Sequence, residues 1–392
     1  MSIAGAGPVG LATALGLARA GVDVTVLEKD ADPADGPRAM AYLYPVLEEF
    51  ERLGVLDDLD ARGVRSESTN IIDHESGEHF PLTFEPLHGV VRHPYTLHLA
   101  QNRVSEILLA HLSEFGNVDI RRGTTVVDVV QDDDGVDVQV LGPSGGDRVH
   151  SRWLVGADGA GSAVRRAVGL YLHGATWPNR FIAANIRHDF EADGLHAANQ
   201  CLDWTYGAII TKTDEDGLWR YTYREAGGER AERLPRRIRT HLERALPEVD
   251  AHALVQHSSY RMHQRVADTF RAGRVLLAGD AAHITNPVGG LGLNAGFLDA
   301  SVLAEALAAV VHSTADDAVL DAYAAERRAV FLDVVSPDAV RNKEMVFDPP
   351  TGEEKLALLD QLRELARNPD KRRDHLLRAQ RMVTPSVVTA AR

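Results

Sequence analysis

The chain has 392 residues, 44% of them apolar, and a formal net charge of −15 from 42 basic and 57 acidic side chains. That much apolar material can fill a large core in more than one lobe, and the acidic balance repels phosphate backbones and anionic membrane surfaces, so nucleic acid is not an expected partner. Cys201 is the only cysteine, which rules out an internal disulfide and suits a reducing cytoplasm.

Ser2 to Ala4 reads as the end of a first strand. The apolar run Ile3 to Ala20 is no signal peptide, because it lacks a basic leader and its glycines fall at the spacing Gly5-x-Gly7-x-x-Gly10. Pro8 to Ala20 carries Val9, Leu11, Ala12 and Leu15 at helical spacing, and Gly21 stops it. Val22 to Leu27 alternates as a second strand and delivers Glu28 at its end. This βαβ opening has a short first strand, as if the sheet edge were trimmed or the coding start placed late.

Tyr44 to Leu53 reads as a helix, and Asp60 to Pro94 as an irregular polar stretch punctuated by Gly63, Gly77 and Gly89. Gln101 to Leu112 is helical, with Val104, Ile107, Leu108 and Leu112 on one side. Val118 to Ile120, Thr125 to Val130, Val136 to Leu141 and Val149 to Val155 read as strands with glycine-rich turns. From Phe181 to Arg224 short alternating strands follow; Trp219, Tyr221 and Tyr223 share one face, and Arg220, Thr222 and Arg224 the other. Glu229 to Leu246 is a charged helix, Arg274 to Leu277 a buried strand, and Leu298 to Val311 a helix. The apolar part of that helix, from Ala300, is interrupted by Glu305 and too short to span a bilayer. The rest, to Arg392, is helical and charged. The expected fold is α/β: a Rossmann-like lobe (1–70, 97–170 and 270–320), a β-rich substrate lobe (71–96 and 171–269) and a helical C-terminal region (321–392).

Three motifs carry chemistry. Glycines 5, 7 and 10 permit a tight turn and let backbone approach a pyrophosphate at the N-terminus of the helix begun by Pro8, where free N–H groups and the helix dipole favour anionic oxygen. Glu28, eighteen residues after Gly10, can bind ribose hydroxyls, which suits FAD or NAD better than NADP. Far downstream, Gly279-Asp280-Ala281-Ala282-His283 leaves a strand with no intervening loop, so Asp280 can accept hydrogen bonds from a polyol. The segment Asn286-Pro287-Val288-Gly289-Gly290-Leu291-Gly292-Leu293-Asn294 then lets bare backbone lie against a flat ring. Asn294 is placed to cap a helix beginning near Ala295, whose positive end would face a reduced, anionic flavin. The third piece, Gly156-Ala157-Asp158-Gly159-Ala160-Gly161, reads equally well as a surface turn or a site.

Together these motifs resemble, in order and over roughly residues 1 to 330, the flavin-dependent aromatic hydroxylases of the p-hydroxybenzoate hydroxylase type, the class A flavoprotein monooxygenases. The resemblance implies an FAD-binding lobe of the GR2 type. It implies Arg38, in Pro37-Arg38-Ala39-Met40, near the ribityl–pyrophosphate end, and Gln101 in contact with the cofactor. It implies Asp158 and Gly159 in FAD and nicotinamide use, Asp280 on the ribityl chain, and Pro287 to Asn294, with Gly290, Gly292 and Leu293, beside the isoalloxazine. The reaction it implies starts with NADH or NADPH reducing FAD. Oxygen then adds at flavin C4a, and the hydroperoxide passes one oxygen atom to a small aromatic or heteroaromatic ring. A reductase or halogenase of the same fold is the alternative, although Trp204-Thr205-Tyr206-Gly207-Ala208-Ile209 does not match the halogenase signature Trp-x-Trp-x-Ile-Pro. A flavin-binding or drug-sequestering protein without turnover is a third, more distant one. The family lacks a separate nicotinamide domain, which fits the absence of a second strand-linked glycine fingerprint. Asn286 stands where many members have a second proline, which predicts a less rigid loop, and the tail has no thioredoxin-like signature.

On the substrate side, Trp204, Tyr206, Trp219, Tyr221 and Tyr223 are candidates to line the ring pocket; alternatively they pack the insert onto the cofactor lobe. His98 and Tyr95, just before the Gln101 helix, can reach the pocket, and a histidine there could deprotonate a phenol. His283 reads as structural. No Cys/His cluster has metal-ligand spacing, so no metal is expected. The expected partners are the aromatic substrate and O2, with the protein a cytoplasmic monomer or homodimer without a membrane span.

Overall fold

The structure is a computed structural model and describes residues 1–32, 39–214, 216–225, 234–246, 249–250 and 253–390. Arg38, singled out above, lies outside the described residues.

The first lobe is built on a six-stranded sheet ordered Arg271–Ala272, Val275–Leu277, Leu154–Gly156, Ser2–Ala4, Val24–Leu27 and Val118–Arg121. All pairs but the first are parallel. The three-residue first strand sits in the middle, so Gly5, Ala157 and Ala278 all emerge at the same edge. Two helices cover it. Pro8–Arg19 packs on Leu291–Val311, and both are buried along nearly their whole length. The second helix is 21 residues long and starts seven residues before the Leu298 expected from the sequence. By length and composition it could cross a membrane, but 78% of its most apolar window is buried inside the protein, as in a core helix. Its early start has a local cause: Gly290 adopts φ +72°, a left-handed conformation that turns the chain directly into the first helical turn.

The second lobe is an eight-stranded sheet ordered His283–Ile284, Leu254–Ala267, Leu172–Arg187, Leu218–Glu225, Ala208–Lys212, Ala198–Leu202, Ser68–Asp73 and Glu78–Thr83. The last two strands come from the stretch expected to be irregular. Its alternation is hidden by buried polar residues: Asn70 reaches Asn199 across the parallel pair at 3.4 Å, and Asp73 accepts from Ser76. One face of the sheet carries Trp219, Tyr221 and Tyr223, which pack with Ile182, Ile210 and Phe190 under the helix Leu234–Ala245. The other face looks towards the first lobe. A small sheet of Ala41–Tyr42, Val64–Ser66 and Thr96–His98 joins the two.

The C-terminal region wraps both lobes. Ala318–Val330 continues through a π-helical segment, Phe331–Val335, into Ser336–Phe347. Phe347 then meets Phe181 of the second sheet at 5.0 Å between ring centroids. Met382 returns to the core of the first lobe.

Candidate functional site

A cavity of 1130 Å³ runs between the parallel sheet's edge and the inward face of the eight-stranded sheet. Its first end is the glycine turn. Gly5 holds φ +101°, and a Cβ on Gly10 would lie 2.1 Å from the Gly5 carbonyl oxygen, so no side chain fits there. Gly7 has open space where its Cβ would be. It caps the helix Pro8–Arg19 without any side-chain hydrogen bond, so the first-turn N–H groups await an acceptor. Glu28 is aimed back at this turn: its Oε2 accepts from the Ala6 N–H at 2.6 Å and its Oε1 from Asp30 N–H at 2.9 Å. Gln101, at the start of its helix, lines the same region.

Asp158 and Gly159 flank the middle. Asp158 Oδ2 accepts from the backbone N–H groups of Ala163 (2.7 Å) and Val164 (3.2 Å), while its Oδ1 is buried with no partner. Arg165, almost wholly buried, donates to the Ala281 carbonyl at 2.8 Å and to the Ala160 carbonyl at 2.9 Å, tying this turn to the one that carries Asp280. Asp280 itself lines the cavity from a short 3-10 turn, Gly279–Ala281.

The far end of the cofactor side is the segment Ile284 to Leu293. Pro287, Gly290, Gly292 and Leu293 line the cavity. Asn286 does not leave this loop slack. Its Oδ1 accepts from Val288 N–H at 3.0 Å, and Gln264 Oε1 takes the Thr285 hydroxyl at 2.8 Å, so hydrogen bonds constrain the loop at the position where many family members have a second proline. Asn294 is not a cap. It lies inside the first turns of its helix, wholly buried, accepting from Leu43 N–H (2.8 Å) and donating to the carbonyls of Ala41 (2.9 Å) and Gly290 (2.8 Å). It therefore fixes residues 41–43 against the glycine segment and does not face the cavity.

The substrate side differs from the sequence expectation. Trp219, Tyr221 and Tyr223 point away from the cavity, into the core under Leu234–Ala245. Tyr206 lies on a turn beside His74 and His241, and Trp204 is exposed and donates to the Pro349 carbonyl at 2.8 Å. Tyr95 is buried in the core of the first lobe and donates to Asp60 Oδ2 at 2.6 Å. None of the six lines the cavity; for Trp219, Tyr221 and Tyr223 the reason is strand alternation, which gives these side chains to the face that a helix covers. The cavity face includes Thr69, Gln200, Ile209, Thr211, Arg220, Thr222, Ala183, Ser258 and Tyr260, contributed by six adjacent strands. The alternation did separate Arg220 and Thr222 from the aromatics, but nothing in it said which face was inward.

His98 does line the cavity. It is 1% exposed, and burial pushes its imidazole down to about 4, only partly offset by a hydrogen bond with the backbone of Lys212. Its Nδ1 has no partner. Arg220 is also buried; its Nε donates to Asn185 Oδ1 at 3.0 Å, and burial lowers it to about 10 against the opposing pull of Tyr260 and Tyr42. His283 belongs to a buried cluster behind the site, with Nε2 2.6 Å from Asp299 Oδ2.

The residues present fit a flavin dinucleotide. An uncapped helix N-terminus stands behind a turn with no room for side chains at Gly5 and Gly10, a buried Asp158 oxygen lacks a partner, and a glycine segment forms a bare wall. Comparison with known proteins agrees. Residues 1–337 match the FAD binding domain family. The chain is 42% identical to 6-hydroxy-3-succinoylpyridine 3-monooxygenase of Pseudomonas putida over 375 residues, 95% of each chain. It is also 42% identical to para-nitrophenol 4-monooxygenase of a Pseudomonas species, over 87% of this chain and 85% of that one. The crystal structure of p-nitrophenol 4-monooxygenase from Pseudomonas putida superposes with a TM-score of 0.93 at 38% identity, covering 97% of both chains. With cavity, turn and glycine wall arranged in this order, the chain belongs to the FAD-binding-domain family, among the class A flavin-dependent aromatic monooxygenases.

Proposed function

We propose that FAD lies extended from the Gly5–Gly10 turn to the Pro287–Leu293 segment, and that the space beneath Arg220 receives a phenol or hydroxypyridine with an electron-withdrawing group para to its hydroxyl. The carrying observation is that one cavity has the glycine turn at one end and a polar sheet face at the other. In this reading the helix N-terminus at Pro8 holds the pyrophosphate. Glu28 takes the adenosine ribose and Asp280 the ribityl hydroxyls. Gln101, Asp158 and Gly159 contact the middle of the cofactor, and Pro287, Gly290, Gly292 and Leu293 border its ring. Bound FAD, reduced by NADH or NADPH, supplies the activated oxygen.

The substrate class rests on a pattern common to two relatives. The names 6-hydroxy-3-succinoylpyridine 3-monooxygenase and para-nitrophenol 4-monooxygenase both put oxygen on the ring carbon that bears the substituent, para to the hydroxyl. Such a carbon has no hydrogen to lose, so the substituent must leave: a nitro group departs as nitrite with its bonding electrons and leaves a quinone, which a second equivalent of NADH or NADPH reduces to the hydroquinone. His98 Nδ1 accepts the hydrogen bond of the substrate hydroxyl while it is neutral, and the Arg220 charge favours the ionised ring once that proton has left to solvent. The enclosing sheet keeps water from the reacting oxygen. A cytoplasmic location belongs to the same reading, in keeping with the half-buried free thiol of Cys201.

The test is anaerobic mixing of the flavoprotein with NADH or NADPH, followed by aerobic turnover of 4-nitrophenol, a 6-hydroxy-3-acylpyridine and unsubstituted phenol. Expected are flavin bleaching accelerated by the first two compounds and products that have lost the para group. Products that retain that group together with one added oxygen would overturn the substrate assignment. Absence of bleaching with either nicotinamide would overturn the reaction.

A further inference from the structure

Behind the Asp280 turn sits a wholly buried ionic cluster that none of the roles above uses. Asp299, on the helix Leu291–Val311, is 0% exposed and receives donors from three separate elements. They are the Gly279 N–H at 3.1 Å, His283 Nε2 at 2.6 Å and Arg327 Nε at 2.7 Å. Burial alone would raise this carboxyl, but His283 and Arg327 outweigh it and hold it at about 2. Gly279 is the residue immediately before Asp280. It holds φ +59°, and a Cβ there would lie 2.9 Å from Val9 Cγ2, so the position suits glycine alone, and Asp299 anchors its N–H.

Arg327 spends its remaining donors on the C-terminal strap. Nη1 donates to the Met382 carbonyl at 2.7 Å and the Thr384 hydroxyl at 2.9 Å, and Nη2 to the Ala295 carbonyl at 3.2 Å. The planar guanidinium thus joins residues 382–384, the first turns of the Leu291–Val311 helix and the Asp299 carboxylate, a geometry a lysine cannot copy. Phe331, in the π-helical segment four residues beyond Arg327, stacks on His283 at 4.6 Å between centroids.

We infer that Arg327 is a positioning residue for the cofactor site: through Asp299 and the Gly279 peptide it sets the Asp280 carboxylate, and the strap at Met382–Thr384 is part of that device. This inference rests on the proposed placement of Asp280 at the ribityl chain. Loosening the strap frees the guanidinium, then the carboxylate, then the turn, with no change in any residue that touches FAD.

The test is a double-mutant cycle on FAD affinity, measured by titrating apoprotein and following flavin fluorescence and visible circular dichroism, with the melting of the apoprotein recorded in parallel. Arg327→Lys should weaken FAD by about tenfold, alter the flavin dichroism and leave a cooperative melt. Thr384→Val, which removes one acceptor at the strap, should do the same to a smaller extent and serves where Arg327→Lys does not fold. In an Asp280→Asn background either substitution should lose most of its effect on affinity. Equal losses of affinity with and without Asp280, or a lower melt with unchanged FAD affinity and dichroism, would overturn the inference. Unchanged affinity in Asp280→Asn alone would instead overturn the placement of FAD.

Discussion

His98 offers a prediction in which magnitude decides between two roles. A phenol of ordinary acidity titrates near 10, and the buried imidazole near 4. Full proton transfer between them is uphill by about 8 kcal/mol at about 1.36 kcal/mol per pH unit. That exceeds what one hydrogen bond to a charged group returns, about 1.5–3 kcal/mol. His98 therefore acts as an acceptor that orients and polarises the hydroxyl, and the substrate must arrive already acidified by its para substituent. Two consequences can be measured together in steady-state kcat/KM profiles across pH 5 to 9 for a series of para-substituted phenols. First, the acid limb should move with the hydroxyl acidity of each substrate, because no group at His98 titrates in that range. Second, His98→Leu should lower kcat/KM by up to about tenfold, the loss of one neutral hydrogen bond, without moving the limb. A limb fixed near pH 6.5 for every substrate, abolished in His98→Leu, would refute the reasoning and make His98 an ordinary titrating base.

The glycine turn separates folding from binding. Gly10→Ala drives a methyl group into the Gly5 carbonyl and should cost about 3 kcal/mol or more of stability as well as FAD, whereas Gly7→Ala, in open space, should preserve the apoprotein melt and lose FAD affinity alone. On the sheet, Tyr221→Phe removes only a 3.3 Å contact with His241 and should leave kcat/KM within about twofold at a stability cost of about 1 kcal/mol. Arg220→Met, on the cavity face, should reduce turnover while its melt stays near that of the parent. The parent itself should lose stability as pH falls from 6.5 towards 4. His98 and His241 are both lowered to about 4 by burial, so the unfolded chain takes up protons in that window while the folded chain does not. His241→Phe, which keeps the stack on Tyr223, should flatten that decline in melting temperature. Asp299, held at about 2, contributes its own loss only below 3.8.

Much of the cofactor side was legible in the sequence, because each requirement there falls on a residue type. Tight backbone approach needs glycine at 5 and 10, an exposed helix start follows from Pro8, and an acid after a buried strand can be read at 28 and at 280. The structure brings Gly5, Gly7, Pro8, Glu28, Gln101, Asp158, Gly159 and Asp280 to one cavity. Asn294 was misread since an asparagine before an apolar helix has the form of a cap. The true start at Leu291 depends on the left-handed Gly290, and two adjacent glycines permit several start points. The strands at 68–83 escaped notice because their buried positions include Asn70 and Asp73, polar residues satisfied by partners distant or turn-bound.

The substrate face is a different kind of failure. A strand with period two divides its side chains into two sets and says nothing about which set meets the ligand. The aromatic rings are candidates for the ligand by chemical likeness and for packing onto the cofactor lobe by size, yet the larger free-energy gain lies in covering them for good under a helix on the other face. Trp219, Tyr221 and Tyr223 together remove far more apolar surface from water under a helix than they could in a cavity that stands open until substrate arrives. Arg220, Thr222 and Thr211 are then left for the open face. A guanidinium can be kept there at 8% exposure because Asn185 accepts from it and the cavity supplies room for an anion. In a sheet roofing a cofactor, the polar set of an alternating strand is thus the set to assign to recognition, and the aromatic set to the helix behind it.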